Sequence, residues 1–150
     1  MPRLLRITTA CALLLSFIPI VAQAETRIQS DIGYRKDIMM AMDWNLVRIA
    51  QMLKHQRPYD RARLVSEARA LQALSTMPWV AFVPGSDRGF TKAEPRIWQE
   101  PSQFQAKVQQ FEKVAARLGA SAAQGDLGRV GKPLEQVAES CHSCHHRFLK

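Results

Sequence analysis

The spacing of apolar residues along the chain predicts four helices, of which the first covers about residues 30–54. Apolar positions there mostly recur every three or four residues, which places them on one helical face. They are Ile32, Met39, Met42, Leu46, Ile49 and Leu53. Ser30 or Asp31 is expected to cap the start of this helix, because their side-chain oxygens accept hydrogen bonds from free backbone N–H groups. Pro58 follows its end, where a helix cannot continue.

Three further helices are predicted by the same spacing. The second covers residues 60–76 and is opened by Asp60; its stripe consists of Leu64, Ala68, Leu71 and Leu74. The third covers about 102–124 and ends at Gly125; its seam consists of Phe104, Val108, Phe111, Ala115, Leu118 and Ala122. The fourth is clearest over 132–148. Its stripe consists of Val130, Leu134, Val137, Cys141, Cys144 and Phe148.

A long connection, MPWVAFVPGSDRGFTKAEPRIWQEP, joins the second and third helices. Its aromatic residues argue against disorder, so an ordered crossover that packs on the helices is expected, with a short helix near 95–99. Its aromatic residues are Trp79, Phe82, Phe90 and Trp98. The chain is therefore expected to be all-α, an antiparallel four-helix bundle with one long crossover connection. A looser all-α domain is the alternative.

The first 24 residues have the layout of a secretory signal peptide. A start with two arginines precedes an apolar run over 7–21, and the A-x-A pattern at 22–24 follows. Cleavage is expected after Ala24, which would leave residues 25–150 as a single domain in the periplasm. A membrane anchor is the alternative interpretation of the same run, which is short for a bilayer span.

Charge and cysteine content narrow the class of protein. Without residues 1–24, which hold two arginines and no acidic residue, 126 residues remain with 19 Lys and Arg against 13 Asp and Glu, a net charge of +6. A basic surface suits acidic protein partners. An exported chain without a nucleic-acid motif is not expected to bind nucleic acid. One cysteine pair in a domain of this size does not make a disulfide scaffold.

The candidate chemistry lies at the end of the fourth helix, in the sequence SCHSCHHRFLK. Cys141 and Cys144 occupy consecutive seam positions, and residues three apart lie on one helical face about 5–6 Å apart at Cβ. Two thiols at that spacing can reach the two vinyl groups on one edge of a haem, and His145 can bring its imidazole to the iron. C-x-x-C-H is the attachment pattern of haem c for this reason.

Three other interpretations of the motif were weighed. A zinc site needs four ligands, and no second ligand cluster completes the three that Cys141, Cys144 and His145 would supply. A redox-active C-x-x-C pair usually lies at a helix start beside a strand, whereas this motif is near a helix end. Chance is the third. A small helical metal-binding or periplasmic chaperone module is the corresponding non-redox class, and it predicts no covalent haem.

In its ordered motifs the chain resembles cytochrome c′ and the low-spin relatives of that four-helix-bundle family. The resemblance is carried by YRKDIMMAM in the first helix, PYD before the second, MPWVAFVPGSD, PRIW before the third, GDL after it and the terminal CHSCHHRF. These segments cover nearly all of the predicted mature chain. C-x-x-C-H alone is shared by many cytochromes, so the ordered set is the more specific sign.

The resemblance implies one covalent haem c inside the bundle, with His145 as the solvent-side iron ligand and the first helix over the other face. It further implies that Arg35 lies near a haem propionate and that Met39 faces the iron. Arg35 and Met39 are four residues apart and share a helical face. Without the resemblance, Arg35 would be a solvated charge and Met39 a core side chain.

The cations and histidines around the motif are assigned no chemistry. Relatives place an arginine shortly after the ligand histidine, whereas this chain has Arg147 and Lys150 at other spacings, which leaves open the cation that shields His145. His142 and His146 are expected to face solvent. His55 is expected to favour the end of the first helix electrostatically. The remaining neighbouring methionines, Met40 and Met42, are expected to point aside and into the core.

The expected function depends on whether Met39 ligates the iron. Ligation of iron by Met39 and His145 would give a six-coordinate, low-spin haem and a periplasmic electron carrier with redox partner proteins. We place this alternative first, because little else would hold the thioether away from the iron. If Met39 only packs, the haem is five-coordinate and binds nitric oxide or carbon monoxide, as cytochrome c′ does. Neither alternative is an enzyme, and a homodimer through the first two helices is compatible with both.

Overall fold

Four long helices form the protein, and a short fifth lies in the crossover. The computed structural model describes the backbone of residues 18–150 and the side chains of residues 25–150. The helices are α1 (Ile18–Leu53), α2 (Arg61–Leu74), α3 (Arg96–Gln99), α4 (Pro101–Ala122) and α5 (Gly131–Phe148), with 3₁₀ turns at Pro78–Ala81 and Leu127–Arg129. The four long helices pack in a ring, α1 on α2, α2 on α4, α4 on α5 and α5 on α1. The predicted four-helix bundle is confirmed.

The helix starts agree with the sequence in one case and not in another. Asp60 caps α2 as predicted: its carboxylate accepts a hydrogen bond from the Arg63 backbone N–H at 3.1 Å. The expected cap at Ser30 or Asp31 is wrong, because α1 is already helical from Ile18. Residues 20–29 contain neither Gly nor Pro, so nothing in them interrupts a helix. The predicted signal peptide lies mostly outside the described residues.

The end of α1 turns on a histidine in the left-handed region. His55 has φ 56°, its N–H donates to Met52 O at 3.2 Å, and the N–H of Gln56 donates to Gln51 O at 2.9 Å. These two bonds form the Schellman arrangement, which usually has glycine at this position. His55 therefore ends the helix through its backbone, and its expected electrostatic effect stays a prediction.

The main core runs along the bundle axis and contains most of the predicted stripe residues of the four long helices. Its buried members include Ile49, Leu64, Ala68, Leu71, Phe111, Ala115, Leu118, Leu134 and Val137. A second, smaller cluster joins the crossover to the end of α5 through Ala93, Ile97 and Phe148, with Phe82, Trp98, Phe104 and Cys144 against it. The crossover is thus ordered and packed, as expected, although Phe90 is 88% exposed.

The C-terminal residues tie α5 to the crossover. The Glu94 N–H donates to Phe148 O at 2.9 Å, and the Lys150 N–H donates to Lys92 O at 2.8 Å. These bonds hold the segment that follows the histidine motif against the crossover. Among the described helices, none has an apolar stretch long enough to span a membrane.

Candidate cofactor site

A cavity of about 720 Å³ opens between α1, α4, α5 and the crossover. This volume falls in the range of pockets that hold small molecules and cofactors. Its walls are mainly apolar and aromatic; they include Met42, Leu46, Leu71, Trp79, Phe82, Ile97, Phe104, Phe111 and Val137. The sulfur-containing side chains that line it come from α1 and α5, and His145 comes from α5, so these two helices carry its candidate chemistry.

The α5 wall of the cavity contains all three residues of the C-x-x-C-H motif. Cys141, Cys144 and His145 line the cavity together; the two cysteines are partly buried, and His145 keeps an exposed edge. Cys141 and Cys144 lie one helical turn apart on the inward-facing stripe of α5. Their thiols therefore line the cavity, where other stripe residues fill the core. Both cysteines are free thiols. The three residues therefore line one cavity, and their roles towards a haem stay a prediction.

Burial keeps both thiols protonated. It raises the pKa of Cys141 to about 11, with smaller contributions from Cys144 and Asp43, and it raises the pKa of Cys144 as well. Catalytic and metal-binding cysteines act as thiolates and have lowered pKa values. The pair therefore lacks the environment of a redox-active disulfide or a thiolate metal site. Across residues 25–150, no group of three or more His, Cys, Asp or Glu side chains could hold a metal ion.

The surroundings of His145 favour its neutral form. Its pKa is lowered from the ordinary value of histidine, first by burial and second by the charge of His142. A neutral imidazole has a free nitrogen lone pair, which is what ligation of iron requires. His145 thus has the protonation state of a metal ligand at neutral pH, while the neighbouring thiols stay in the un-ionised form.

The α1 wall brings Met39 to the same cavity. Met39 is half-buried and packs against the main core. Met42, one turn further along, is 6% exposed and belongs to the core, as expected. Met40 is 65% exposed but also lines the cavity, so the expectation that it points aside is not met. Met39 is therefore the thioether that the first helix offers to the cavity at partial burial.

Arg35 is buried at the cavity wall and fastens the crossover to α1. It is 3% exposed, and its terminal nitrogens donate to Ala81 O (3.1 Å), Ser86 Oγ (2.7 Å), Ser86 O (2.5 Å) and Thr91 Oγ1 (2.8 Å). The guanidinium also lies 4.4 Å from the Phe82 ring centroid. Its pKa is lowered by burial and raised by the carboxylates of Asp31 and Asp87. The expected contact with a propionate stays a prediction.

Replacement of Arg35 by leucine is expected to lower the free energy of unfolding of the haem-loaded protein by about 3 kcal/mol. Hydrogen bonds from a charged donor each contribute about 1.5–3 kcal/mol, and the acceptors on the crossover would be left buried without partners. Urea unfolding followed by circular dichroism measures the change. Lys36→Ala is the control, because the exposed Lys36 makes only a 3.4 Å contact with Phe90 O. Equal losses of unfolding free energy in the two variants would contradict the proposal that Arg35 holds the crossover on α1.

The cations after the motif are engaged away from His145. Arg147 donates to Glu100 Oε2 from Nε at 3.0 Å and from Nη2 at 2.5 Å. The Nζ of Lys150 donates to Asp87 O at 3.1 Å. Leu149, not a cation, lines the cavity after His145. Arg147 and Lys150 are therefore both held by partners other than the His145 imidazole.

The side chains that close the cavity from the crossover were not predicted as site residues from the sequence. Trp79 and Phe82 stack at 6.1 Å between ring centroids, and Phe104 meets both rings at 6.1 and 5.0 Å. The signal that could have found them was the clustering of aromatic residues in a segment without helical periodicity. Ser86 and Thr91, which hold Arg35, gave no such signal.

The residues present fit a haem c. Two free thiols one turn apart and a neutral imidazole line one wall, and an apolar cavity of suitable volume adjoins them. In this arrangement Cys141 and Cys144 would form the thioether bonds and His145 would ligate the iron. No residue of the described chain contradicts that assignment.

Comparison with known proteins agrees with this fit. The family model described as cytochrome C′ matches residues 30–149. The cytochrome c′ of Alcaligenes xylosoxydans xylosoxydans is 34% identical over 119 residues, which cover 79% of this chain and 92% of the relative. The solved cytochrome c prime from Shewanella frigidimarina has a TM-score of 0.78 at 31% identity and covers 82% of this chain and 96% of its own. A nitric oxide complex of a mutant cytochrome c prime from Alcaligenes xylosoxidans has a TM-score of 0.76 at 32% identity, with 82% and 95% covered.

Proposed function

The chain belongs to the cytochrome c′ family, whose members carry one covalent haem c, and we propose that it binds nitric oxide or carbon monoxide at a five-coordinate haem. The observation that carries the proposal is the half-buried Met39, which packs on the core at the cavity wall. Sequence analysis placed Met39 ligation first. Support for gas binding comes from the relatives of known structure that are nitric oxide complexes at 32% identity.

The residues of the chain have distinct roles in this proposal. Cys141 and Cys144 anchor the haem covalently, and His145 holds the proximal position. When bound, the haem supplies an iron with one axial position open to a diatomic gas. Met39 and the aliphatic and aromatic side chains of the cavity wall carry no charge, which favours small neutral ligands over anions in their vicinity. Arg35 holds the crossover closed beside them.

Electron transfer with Met39 as the second axial ligand is the other candidate function. It is favoured by the position of the thioether in the same cavity as His145 and by the flexibility of a methionine side chain. Ligation of the iron would require Met39 to lose part of its contact with the main core, which argues against this function. This candidate would need redox partners, and the basic surface suits acidic ones.

Location and assembly are part of the same proposal. We assign the protein to the periplasm, with residues 1–24 removed, and assign it no enzymatic reaction. Pairing of two copies through α1 and α2 is compatible with the charges there. Arg48 pairs with Glu67 at 2.6 Å and Arg63 with Asp60 at 3.3 Å. These arginines therefore have acidic partners in their own chain, which reduces their mutual repulsion in a dimer.

The optical spectrum of the purified protein tests the choice of function. At neutral pH we expect the ferrous form to show the broad bands of a high-spin, five-coordinate haem and to convert on addition of carbon monoxide. Photolysis should then release the carbon monoxide and restore the spectrum of the five-coordinate ferrous haem. A narrow low-spin ferrous α-band, with a weak near-infrared ferric band from Fe–S charge transfer, would reject gas binding in favour of Met39 ligation.

A further inference from the structure

The outer face of α5 presents two histidines, His142 and His146, one helical turn apart. Both side chains are exposed, and their ring centroids lie 6.2 Å apart with an interplanar angle of 33°. Neither lines the cofactor cavity, which His145 enters from the same helix. The two imidazoles thus form a separate cluster, which the proposed gas-binding function does not use.

We propose that His142 and His146 together bind one divalent transition-metal ion of the class of Zn²⁺, Cu²⁺ and Ni²⁺. Imidazole nitrogen is a preferred ligand of these ions, whereas Mg²⁺ and Ca²⁺ prefer oxygen. Residues four apart are neighbours on the helix surface, so both rings can turn towards one ion. With Zn–N distances of about 2.0–2.1 Å, the two ligating nitrogens need to be roughly 3–4 Å apart. Rotation of two exposed side chains is sufficient to reach that separation.

The charges around the pair favour a cation. Glu139 precedes His142 by three residues and shares its helical face, and both side chains are exposed. Two cations beside this helix have other partners: Arg147 is held by Glu100, and Lys107 donates to Ser143 Oγ. Because no group of three or more ligands is preformed within residues 25–150, the two histidines are the protein ligands and water completes the coordination.

A metal ion at this site would act on the haem. His145, which lies between the two histidines in sequence, is the residue that holds the iron on the same helix. A dication nearby disfavours the ferric state more than the ferrous state, because the ferric haem carries one more positive charge. The haem reduction potential should therefore rise when the ion binds, and by reciprocity the reduced protein should bind the ion more tightly. This consequence rests on haem ligation by His145, whereas metal binding itself does not.

Isothermal titration of the haem-loaded ferric protein with Zn²⁺ alone tests the site. We expect one ion per chain in the wild type and no binding of Mg²⁺ at this site. Changes in the partners of a metal ligand alone typically alter affinity by about 10- to 100-fold. Loss of a ligand in His142→Ala or His146→Ala should therefore weaken Zn²⁺ binding by at least about tenfold, and the double variant should lose the site. His55→Asn, at the distant end of α1, should bind as the wild type does.

The haem reduction potential provides a second measurement. It would not respond to Zn²⁺ if His142 and His146 had only a structural role. Zn²⁺ should raise it in the wild type and leave it unchanged in the double variant. His146 lies outside the C-x-x-C-H segment, so His146→Ala provides the test even if His142→Ala attaches less haem. Absence of Zn²⁺ binding in the wild type, or wild-type affinity in the double variant, would overturn the site. Binding without any change in potential would overturn the coupling to the haem.

Discussion

A variant in which Cys141 and Cys144 are both replaced by alanine is expected to contain no covalently attached haem. Both thiols are free, and both face the cavity that His145 enters. Within residues 25–150 there is no other cysteine, so nothing can replace the two thioether bonds. His145 alone would hold haem only by ligation of the iron, and such haem is removed by acid–acetone. Extraction and a haem stain on a denaturing gel measure the loss.

Ser143→Ala is the matched control for this variant. Ser143 lies between the two cysteines on α5 and accepts a hydrogen bond from Lys107, but its side chain does not line the cavity. It should therefore retain haem through extraction. A double cysteine variant that kept its haem through the same treatment would contradict covalent attachment at Cys141 and Cys144.

Loss of the haem is also expected to weaken the fold. The cavity has a volume of about 720 Å³ and is lined by side chains from all four long helices and the crossover. In the haem protein these side chains pack against the ring, and a cofactor that binds only the folded chain stabilises it by linkage. Thermal unfolding of the cysteine variant should begin at lower temperature and be less cooperative than that of the wild type. A sharp transition at wild-type temperature would show that the bundle does not need the cofactor.

The bundle and the motif could be predicted from sequence because both are encoded locally. The spacing of apolar residues at three and four positions determines which face of each helix is buried, and the stripes of α4 and α5 became core as expected. The three motif residues share one wall because their spacing on a helix leaves them no other arrangement. Local order along the chain was therefore sufficient for these features.

The features that were missed depend on residues distant in sequence. Arg35 is held by Ala81, Ser86 and Thr91, which lie 46 to 56 positions away, and no local pattern announces those partners. The engagement of Arg147 by Glu100 likewise depends on how α5 meets the start of α4. The start of α1 was misplaced for a different reason. The helix already begins at Ile18, so Ser30 and Asp31 lie inside it, where no helix start needs a side-chain cap.

Replacement of Met39 by alanine is expected to speed the binding of carbon monoxide to the ferrous protein. Met39 lines the cavity from α1 and packs on the core, so its side chain occupies space that an incoming ligand has to enter. Alanine removes the thioether and leaves that space open. We expect the association rate constant to rise by at least about tenfold, which corresponds to about 1.4 kcal/mol of hindrance. Flash photolysis or stopped-flow mixing measures the rate.

Val47→Ala is the control for this prediction. Val47 lies on α1 like Met39 but is 43% exposed and does not line the cavity, so its truncation leaves the cavity wall unchanged. Its carbon monoxide kinetics should match those of the wild type. The ferrous spectrum taken with the kinetics separates the two functions. If Met39 only packs, wild type and Met39→Ala are both high-spin and differ in rate alone. If Met39 ligates the iron, the wild type is low-spin and the alanine variant becomes high-spin as the rate increases. Equal rates in wild type and Met39→Ala would exclude both roles, since neither a ligand nor an obstruction would have been removed.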